Sequence, residues 1–368
     1  MKGRRGMENH VKDDYIFKLT DDTGMLQHSS FGVPDPAYGY TADDNARALA
    51  MAVVLYERYG GKQYAELLYR YSSFLLNARN ERGTFRNFLG YDRKWLEEEG
   101  SEDCFGRCIL ALGLALSNRY TPGDAKGALE LLLKRALPNV TRLKYPRAEA
   151  YSVIGLSALE SRYSKRLVSD LAASIVKRYE KYGDGEWRWF ENSVTYCNGV
   201  LPASLFAAYR ATGKEDFKNI GRESLEFLES LTFRNGYFKP VGCKGWMRKG
   251  GSPAEFDEQP VEACDAVLAY MEAYYATGDE KYLQKARKCH AWYDGANSAG
   301  IPLVNSENGG CYDGITKEGL NRNMGAESTV SYVISYLMVS GKGSGIPDLE
   351  KSKGIDKKII KNGGFIDE

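Results

Sequence analysis

The feature that most constrains the fold is a repeated unit: an aromatic-rich helix end, a glycine-containing turn and then a charged amphipathic helix. Three copies read LYERYGGKQYAELLYRYSSFL, AYRATGKEDFKNIGRESLEFL and AYYATGDEKYLQKARKCHAWY. The glycine suits the left-handed residue that closes a helix. Weaker copies, LSNRYTPGDAKGALELLLKRAL and LESRYSKRLVSDLAASIVKRY, give a recurrence of roughly 45–65 residues. Helical hairpins that recur in this way have to stack on one another to bury their apolar faces.

The helix before each turn differs in kind from the helix after it. Six first members, such as CILALGLAL and CDAVLAYMEAYY, are apolar nearly all round, which is typical of helices enclosed on every side. Five clear second members, such as KEDFKNIGRESLEFLES, carry charge on one face only. An inner ring of helices wrapped by an outer ring accounts for this alternation, so the sequence predicts an all-α (α/α)6 toroid. A two-layer solenoid such as a tetratricopeptide array is the alternative, but its repeats are shorter, at ~34 residues.

The charge balance excludes several classes of partner. Fifty basic residues stand against 49 acidic ones, and no basic stripe is present, so nucleic acid and anionic membrane are poor candidates. No stretch reaches the ~18 apolar residues that a membrane-spanning helix needs. The basic start MKGRRGMENHVKDD lacks the apolar segment of a signal peptide. We therefore expect a cytoplasmic protein.

The cysteines and histidines argue against a metal centre. The seven cysteines are scattered and form no CxxC pair, which favours reduced thiols over a disulfide framework or a zinc site. The three histidines, His10, His28 and His290, are too few for a multi-histidine metal site. We expect no metal and no other cofactor.

We divide the chain into three parts. Residues 1–16 are interpreted as an N-terminal extension, residues 17–340 as the toroid, and residues 341–368 as a peripheral tail. The tail is rich in Gly, Ser and Lys, and only its IDKKII segment could form a short sixth outer helix. Removal of the tail should therefore leave a cooperatively folding chain.

The segments that join an outer helix to the next inner helix are long and dense in Gly, aromatic residues, Asn and acids. One of them reads RNGYFKPVGCKGWMRKGGSPAEFDEQPVEACD. Loops of this length in a compact domain are usually functional. In a toroid they would emerge together above the N-termini of the inner helices, while the opposite turns are short. The sequence therefore predicts a pocket at one mouth of the ring.

Acids cluster where the inner helices begin. In GYTADDNARALAMAVVLY, a capping box of Thr41 with Asp44 explains one acid but neither Asp43 nor Arg47. The pattern recurs at the other inner helices. Its further members are Asp103, Arg107, Asp257, Glu258, Glu262, Asp265 and Glu327. Each acid alone fits a helix-dipole partner, but their convergence on one mouth predicts at least one catalytic carboxylate.

Aromatic residues in the same loops have two interpretations. Trp187, Trp189, Phe190, Tyr196 and Trp246 suit stacking on the apolar faces of sugar rings. They are equally suited to anchoring the loops to the rim of the ring.

Four long motifs add a resemblance to a known family. The segments LTDDTGMLQHSSFGVPDPAYGYTADDNARAL, EWRWFENSVTYCNGVLPASL, FDEQPVEA and NRNMGAESTVSYV resemble six-hairpin, glycosidase-like domains, over nearly all of residues 17–338. Such domains are often fused behind, or encoded near, glycosyltransferases. The resemblance implies an (α/α)6 toroid, a carbohydrate context and a possible glycosyltransferase partner, but no settled reaction.

The first functional hypothesis is an inverting glycoside hydrolase acting on an oligosaccharide. One carboxylic acid would protonate the glycosidic oxygen and a carboxylate ~6.5–9.5 Å away would activate water. The candidates for this pair are Glu262, Glu327 and Asp103, with Glu262 and Glu327 preferred. The residues expected to bind substrate or line the pocket are His28, Asp43, Asp44, Arg47, Arg107, Arg147, Glu191, Tyr196, Asn198, Trp246, Glu258, Asp313 and Asn323.

Two alternatives remain open. Similar toroids that act as sugar epimerases or isomerases use mouth histidines as acid and base, and only His28 is positioned for that role. A non-catalytic carbohydrate-binding or glycosyltransferase-partner module would keep the aromatic residues and need no matched acid pair. A separation of more than ~12 Å between the carboxylates, or the lack of an open pocket, would favour this module over the hydrolase.

Overall fold

A computed structural model describes residues 10–234 and 236–341. Helices account for most of this part of the chain. In chain order they are α1 (Asp14–Leu19), α2 (Ala42–Tyr59), α3 (Lys62–Ala78), α4 (Glu102–Ser117), α5 (Gly123–Val140), α6 (Pro146–Ser157), α7 (Arg162–Tyr182), α8 (Val200–Thr212), α9 (Glu215–Thr232), α10 (Pro260–Thr277), α11 (Glu280–His290) and α12 (Ala326–Ser340).

The even-numbered helices form a closed inner ring. Each of them packs against the next, and α12 packs against α2 to complete the circle. Each odd-numbered helix from α3 to α11 packs on the outside of the inner helix before it, and α1 packs on α12. The predicted (α/α)6 toroid is therefore confirmed. The sixth outer position holds the short helix α1, while the IDKKII segment lies outside the described residues.

Close packing inside the ring depends on small residues. Gly113 of α4 and Gly155 of α6 face each other so closely that a Cβ atom at Gly113 would collide with the carbonyl oxygen of Gly155. Two backbones can approach to this distance only where neither residue has a side chain. This contact explains why the inner helices are rich in small residues as well as apolar.

The two ends of the inner helices are stopped differently. At the N-terminal end of α2, the Thr41 hydroxyl accepts a hydrogen bond from the Asp44 amide at 3.0 Å, as the capping interpretation requires. Pro146 and Pro260 occupy the first positions of α6 and α10. At the other end, Gly213 and Gly278 adopt the left-handed conformation that closes α8 and α10.

Short strand pairs tie together the loops that precede the inner helices. The strands are β1 (Ser29–Ser30), β2 (Val33–Pro34), β3 (Tyr40–Thr41), β4 (Phe88–Leu89), β5 (Ser193–Val194), β6 (Met247–Arg248), β7 (Gly314–Thr316) and β8 (Gly319–Asn321). They pair antiparallel in the order β1–β2, β3–β4, β5–β6 and β7–β8. The pairs β3–β4 and β5–β6 each join two different loops. Only the link before α6, residues 141–145, is short. We call the end of the ring that carries these loops the mouth.

The N-terminal boundary differs from the sequence interpretation. Val11 is 2% exposed and Tyr15 and Ile16 are fully buried, so these residues ahead of residue 17 already pack into the core. Residue 17 itself lies inside α1. The sequence does not reveal α1, because a helix of six residues is too short to show a helical period. The proposed tail, apart from Gly341, lies outside the described residues.

All seven cysteines are free thiols, and six of them are buried, as the scattered pattern predicts. Within residues 10–234 and 236–341, no helix is both long and apolar enough to cross a membrane. The same described ranges contain no group of three or more potential metal ligands.

Candidate active site at the mouth

Arg47 organises the centre of the mouth. Its Nη1 lies 2.8 Å from Oδ1 of Asp43 and 3.1 Å from Oδ1 of Asp44. Its Nη2 donates to Oε2 of Glu327 on α12 at 2.8 Å. The Glu327 side chain is 41% exposed, so the pair faces solvent on one side. One guanidinium thus joins the first turn of α2 to the first turn of α12 across the point where the ring closes.

A second arginine extends this network to α4 and α6. Nη1 of Arg107 donates to the other oxygen of Asp43 at 2.7 Å, and its Nη2 contacts the Tyr151 hydroxyl at 3.3 Å and Sγ of Cys197 at 3.4 Å. The guanidinium carbon also lies 4.7 Å from the centre of the Tyr151 ring. Asp43 therefore bridges two arginines, which a helix cap alone does not explain.

Asp265 adds a further acid beside these groups. It lies on α10 and is 7% exposed, and its buried Oδ2 has no hydrogen-bond partner among the residues that the structure describes. Burial raises the pKa of Asp265 to about 6, although the Cys197 thiol and the charges of Arg47 and Arg107 oppose the shift. We call Asp43, Asp44, Arg47, Arg107, Asp265 and Glu327 the arginine–carboxylate cluster.

The cluster contains more acids than bases. Burial raises the pKa of Asp44 to about 7 against the opposing charge of Arg47, and the neighbouring Asp43 and Glu327 charges raise it further. Asp43, Asp44 and Glu327 share two guanidinium groups and Asp265 lies close to them, so like-charge repulsion is not fully compensated. Because these acids interact, the proton that they retain near neutral pH belongs to the cluster as a whole.

Glu262 lies in the wall of the site and is 5% exposed. Its Oε1 accepts a hydrogen bond from the Cys197 amide, and its Oε2 accepts from Nδ2 of Asn198 at 2.9 Å and from the Asn198 amide at 3.4 Å. Burial and the nearby charge of Asp265 raise the pKa of Glu262 to about 7, while these hydrogen bonds oppose the shift. Glu262 thus anchors the loop before α8 to α10 and is not open to the mouth.

A second network lies at the rim of the mouth. Arg147 donates to Glu191 at 2.7 Å and to Thr195 at 2.8 Å, and its guanidinium lies 4.4 Å from the centre of the Tyr196 ring. The Tyr196 hydroxyl donates to Oδ2 of Asp103 at 2.6 Å. These contacts join the first turns of α4 and α6 to the loop before α8.

The loop aromatics fall into two groups. Trp187, Trp189 and Phe190 are at most 5% exposed and pack in the core, so they are anchors and the stacking interpretation is wrong for them. Tyr196 is 39% exposed, and its ring centre lies 6.5 Å from that of the half-buried Trp246. Only this last pair of the five is placed to meet a ligand.

Three residues that the sequence assigns to the binding set instead hold loops in place. Glu258 is fully buried and accepts hydrogen bonds from Trp292 and Ser298, so it cannot reach a ligand at the mouth. Asp313 accepts from the Gly325 amide and the Ser328 hydroxyl, both at 2.7 Å, and so caps α12.

Asn323 is the third loop-holding residue, and it accepts from the Phe31 amide at 2.9 Å. His28 is exposed beside the mouth, with the Tyr38 ring against its edge at 4.9 Å.

Sequence reasoning missed Tyr151 and Cys197 as members of the site. Tyr151 lies one turn after Arg147 on α6, and this spacing places both on the same helix face. Cys197 has a φ of 47°, a left-handed conformation that a non-glycine residue rarely adopts. Both residues are uncharged at neutral pH, so a sequence pattern of acids and arginines does not include them.

No family model matches the chain, and no curated protein is significantly similar to it in sequence. Solved structures do match. A sugar epimerase from a ruminal bacterium has a TM-score of 0.69 at 15% identity, covering 91% of this chain and 97% of that one. The cellobiose 2-epimerase of Spirochaeta thermophila has a TM-score of 0.66 at 14% identity, covering 89% and 93%.

A GH76 α-mannanase of Bacteroides thetaiotaomicron also matches, with a TM-score of 0.61 at 12% identity over 88% of this chain and 91% of that one. Likeness at such low identity establishes architecture and not chemistry. The fold of this chain is an (α/α)6 toroid, the architecture that it shares with these solved structures.

Proposed function

We propose that this protein is a glycoside hydrolase that acts on an oligosaccharide by an inverting mechanism at the arginine–carboxylate cluster. The observation that carries the proposal is that Asp43 and Glu327 bind different nitrogens of the same guanidinium, that of Arg47. Because each of these ion pairs is 2.8 Å long, the two carboxylates lie at most about 8 Å apart. Inverting glycosidases need a separation of ≈ 6.5–9.5 Å between their two carboxyl groups.

Exposure favours Glu327 as the base. Its carboxylate is ion-paired and 41% exposed, so a water molecule can reach it from the mouth. The acid is proposed to be the adjacent pair Asp43 and Asp44, because the raised pKa of Asp44 keeps a proton within the cluster near neutral pH. Asp44 itself is buried, so Asp43, with a side chain 20% exposed, is the member that contacts substrate.

This assignment moves the acid away from Glu262. Glu262 is 5% exposed and both of its oxygens already accept hydrogen bonds from Cys197 and Asn198, so it is not open to a substrate at the mouth. Asp103, which the sequence offered for the catalytic pair, is proposed instead to bind sugar at the rim, where it already accepts from Tyr196. Arg147, Glu191, Asn198 and Trp246 are proposed to shape the sugar site around it.

A structural neighbour supports the use of consecutive aspartates. The α-1,6-mannanase of a Salegentibacter species is described as an inactive variant in which two adjacent aspartates are replaced, in complex with α-1,6-mannotetrose. Asp43 and Asp44 are adjacent aspartates in the first turn of α2 at the mouth. The parallel is one of fold and residue type, and it directs the choice of the first substrate.

The placement of the histidines disfavours an epimerase. His290 is buried against Ser335, and burial lowers its pKa to about 4, so it stays neutral and away from the mouth. His10 stacks on Tyr59, a residue at the C-terminal end of α2 opposite the mouth. His28 alone cannot supply an acid and a base. Association with a glycosyltransferase is a prediction that rests on the sequence resemblance alone.

The test is a screen of the purified protein against labelled α-1,6-mannooligosaccharides and β-linked disaccharides, with products followed by NMR. We expect shorter sugars released with inverted anomeric configuration. Conversion of cellobiose to an isomer without a gain in reducing ends would identify an epimerase instead. Sugar binding without any product would favour the non-catalytic module.

A further inference from the structure

Phe31 lies at the tip of the β1–β2 hairpin, between Ser30 and Val33. Its side chain is 68% exposed, more than any other aromatic side chain within residues 10–234 and 236–341. Its φ of 54° is in the left-handed region, where a bulky residue is strained. The ring therefore adds little to the core, and glycine would suit this backbone better than phenylalanine. Neither packing nor the turn explains an aromatic residue at this position.

The contacts of the hairpin tip hold its backbone and leave the ring in solvent. The Phe31 amide donates to Oδ1 of Asn323 at 2.9 Å. Its carbonyl accepts from the Met324 amide at 3.1 Å and from the Ser29 hydroxyl at 2.6 Å. Gly32 lies so close to Met324 that a Cβ atom at Gly32 would be 2.6 Å from the methionine methyl carbon. The ring is thus presented to solvent from a fixed backbone.

These contacts place Phe31 beside the proposed base. Met324, which binds the Phe31 carbonyl, precedes Glu327 by only three residues. Three residues of chain span at most about 11 Å. On the other side of the hairpin, the Gln27 carbonyl accepts from the Ala326 amide at 3.0 Å. The hairpin therefore lies across the N-terminal end of α12, at the edge of the arginine–carboxylate cluster.

Two residues with the same kind of backbone already belong to the site. In the described part of the chain, the non-glycine residues with a left-handed φ are Phe31, Arg93, Cys197 and Trp246. Cys197 contacts the arginine–carboxylate cluster, and Trp246 lies beside Tyr196 at the rim. Strained residues of this kind concentrate at active sites and ligand sites. Phe31 lies at the same mouth, so its strain favours a ligand-binding role for the ring.

We infer that Phe31 is a stacking platform for one sugar residue of the oligosaccharide that occupies the mouth. The inference rests on the proposed function for the identity of the ligand. The C–H groups on one face of a pyranose form an apolar surface, and stacking on a flat ring removes both surfaces from water. The hydrogen bonds hold the hairpin in place before the sugar arrives, so little conformational entropy is lost on binding. Phe31 therefore sets affinity and takes no part in proton transfer.

Phe31→Ala, assayed with α-1,6-mannotetraose as the probe, tests the platform. The KM should rise about five- to tenfold, the order expected when one face of an aromatic ring no longer leaves water. The kcat should stay within about twofold of the wild-type value, because stacking stabilises the bound substrate and the transition state alike. Phe31→Trp keeps a flat ring and should retain the wild-type KM. A KM that rises equally in Phe31→Trp and Phe31→Ala would overturn the platform.

Tyr120→Ala is the matched control. Tyr120 is an exposed aromatic residue in the turn between α4 and α5, at the end of the ring opposite the mouth. Its replacement should change neither KM nor kcat. An equal rise of KM in Tyr120→Ala and Phe31→Ala would contradict the location of the platform.

The outcomes separate this inference from the proposed function. Turnover with a wild-type KM in Phe31→Ala would overturn the platform and leave the hydrolase in place. If the wild-type protein cleaves no oligosaccharide, calorimetric titration with α-1,6-mannotetraose and cellotetraose replaces the KM. Binding that weakens in Phe31→Ala but not in Tyr120→Ala supports the platform although the hydrolase fails. Absence of binding to both sugars overturns the platform as well.

Urea unfolding of Phe31→Gly distinguishes a platform from a structural role. Glycine removes the ring and relaxes the left-handed backbone, so the midpoint should be at or above that of the wild type. Sugar binding should weaken as it does in Phe31→Ala. A midpoint below that of the wild type would show that the ring stabilises the hairpin, and it would overturn the inference.

Discussion

The two ends of the toroid are built from the same six inner helices but differ in how charge is balanced. At the short-turn end, Arg210 pairs with the buried Glu272 at 2.8 Å, one base for one acid. At the same end of the ring, the side-chain amide of Asn118 donates to Glu57 at 2.8 Å and ties α4 to α2. At the mouth, the arginine–carboxylate cluster pairs three acids with two arginines and adds a fourth acid, Asp265, beside them. At the short-turn end the buried Glu272 has its own base. The mouth has more acids than bases and raised pKa values, as catalytic sites do.

The largest expected effect is on turnover, which should depend on carboxylates at the mouth and not on those at the short-turn end. Glu327→Gln should lower turnover about 10²–10⁴-fold, because it removes the proposed base without changing the shape of the side chain. Stability should change little, since Arg47 keeps Asp43 and Asp44. Initial rates on the substrate found by the screen, together with thermal unfolding, measure both effects.

The control is Glu57→Gln at the opposite end, which removes a carboxylate of the same type outside the site. It should retain the wild-type rate. Wild-type turnover in Glu327→Gln would move the chemistry elsewhere in the cluster, with Asp43→Asn as the next variant to assay.

The second effect is on stability at the short-turn end. Arg210→Met leaves Glu272, which is 1% exposed, as a buried carboxylate without its partner. Breaking a buried pair by removing one partner destabilises a protein by about 3–5 kcal/mol. Urea unfolding should show this loss, while the rate per folded molecule should stay unchanged.

The double variant Arg210→Met with Glu272→Leu sharpens this result. Replacing both charges by apolar groups is often neutral or stabilising, so the double variant should recover most of the lost free energy. If it were no more stable than Arg210→Met alone, the loss would reflect packing of the arginine stem and not the unpaired charge.

A smaller loss of stability is expected when Glu262, in the wall of the site, is changed. Glu262→Gln keeps one acceptor oxygen but turns an amide NH₂ toward the donors of Cys197 or Asn198. A buried donor left unsatisfied costs about 1–3 kcal/mol. The free energy of unfolding should fall by that amount, and protease should cut residues 183–199 more readily.

Glu66→Gln on α3 is the matched control, with a side chain 56% exposed, and should change stability by less than about 0.5 kcal/mol. A Glu262→Gln protein as stable as the wild type but inactive would restore Glu262 as the catalytic acid.

The ring could be predicted from the sequence because its signal is local. All-round apolar helices alternate with one-sided ones, and each helix shows this in its own residues. The bridge from Arg47 to Glu327 could not be predicted, since it joins residues 280 positions apart where the ring closes. The first-turn position of Asp44 fits both a cap and a catalytic role, so only its environment distinguishes them. Trp189 shows the same limit, because a loop tryptophan looks alike whether it faces solvent or the core.

The smallest expected effect is a pH dependence of stability. Burial raises the pKa of Asp44 to about 7 in the folded chain, well above the ordinary value of 3.8 for an aspartate. The folded chain therefore holds a proton that the unfolded chain releases between these two values. This contribution is complete below about pH 4 and is lost as the pH rises toward 7. Glu262 and Asp265 shift in the same direction and add to the trend.

Asp44→Asn should flatten this slope, because an amide does not titrate while it can still accept from Thr41. The difference in unfolding free energy between pH 6 and pH 7 should shrink by on the order of 1 kcal/mol, since one pKa unit corresponds to about 1.4 kcal/mol and Asp44 is partly ionised over this range. Asp216→Asn, at an exposed position on α9, should keep the wild-type slope. Urea midpoints at the two pH values measure the change. Parallel curves for Asp44→Asn and the wild type would mean that Asp44 is already ionised in the folded protein, and the proton of the cluster would then have to reside on Asp265 or Glu262.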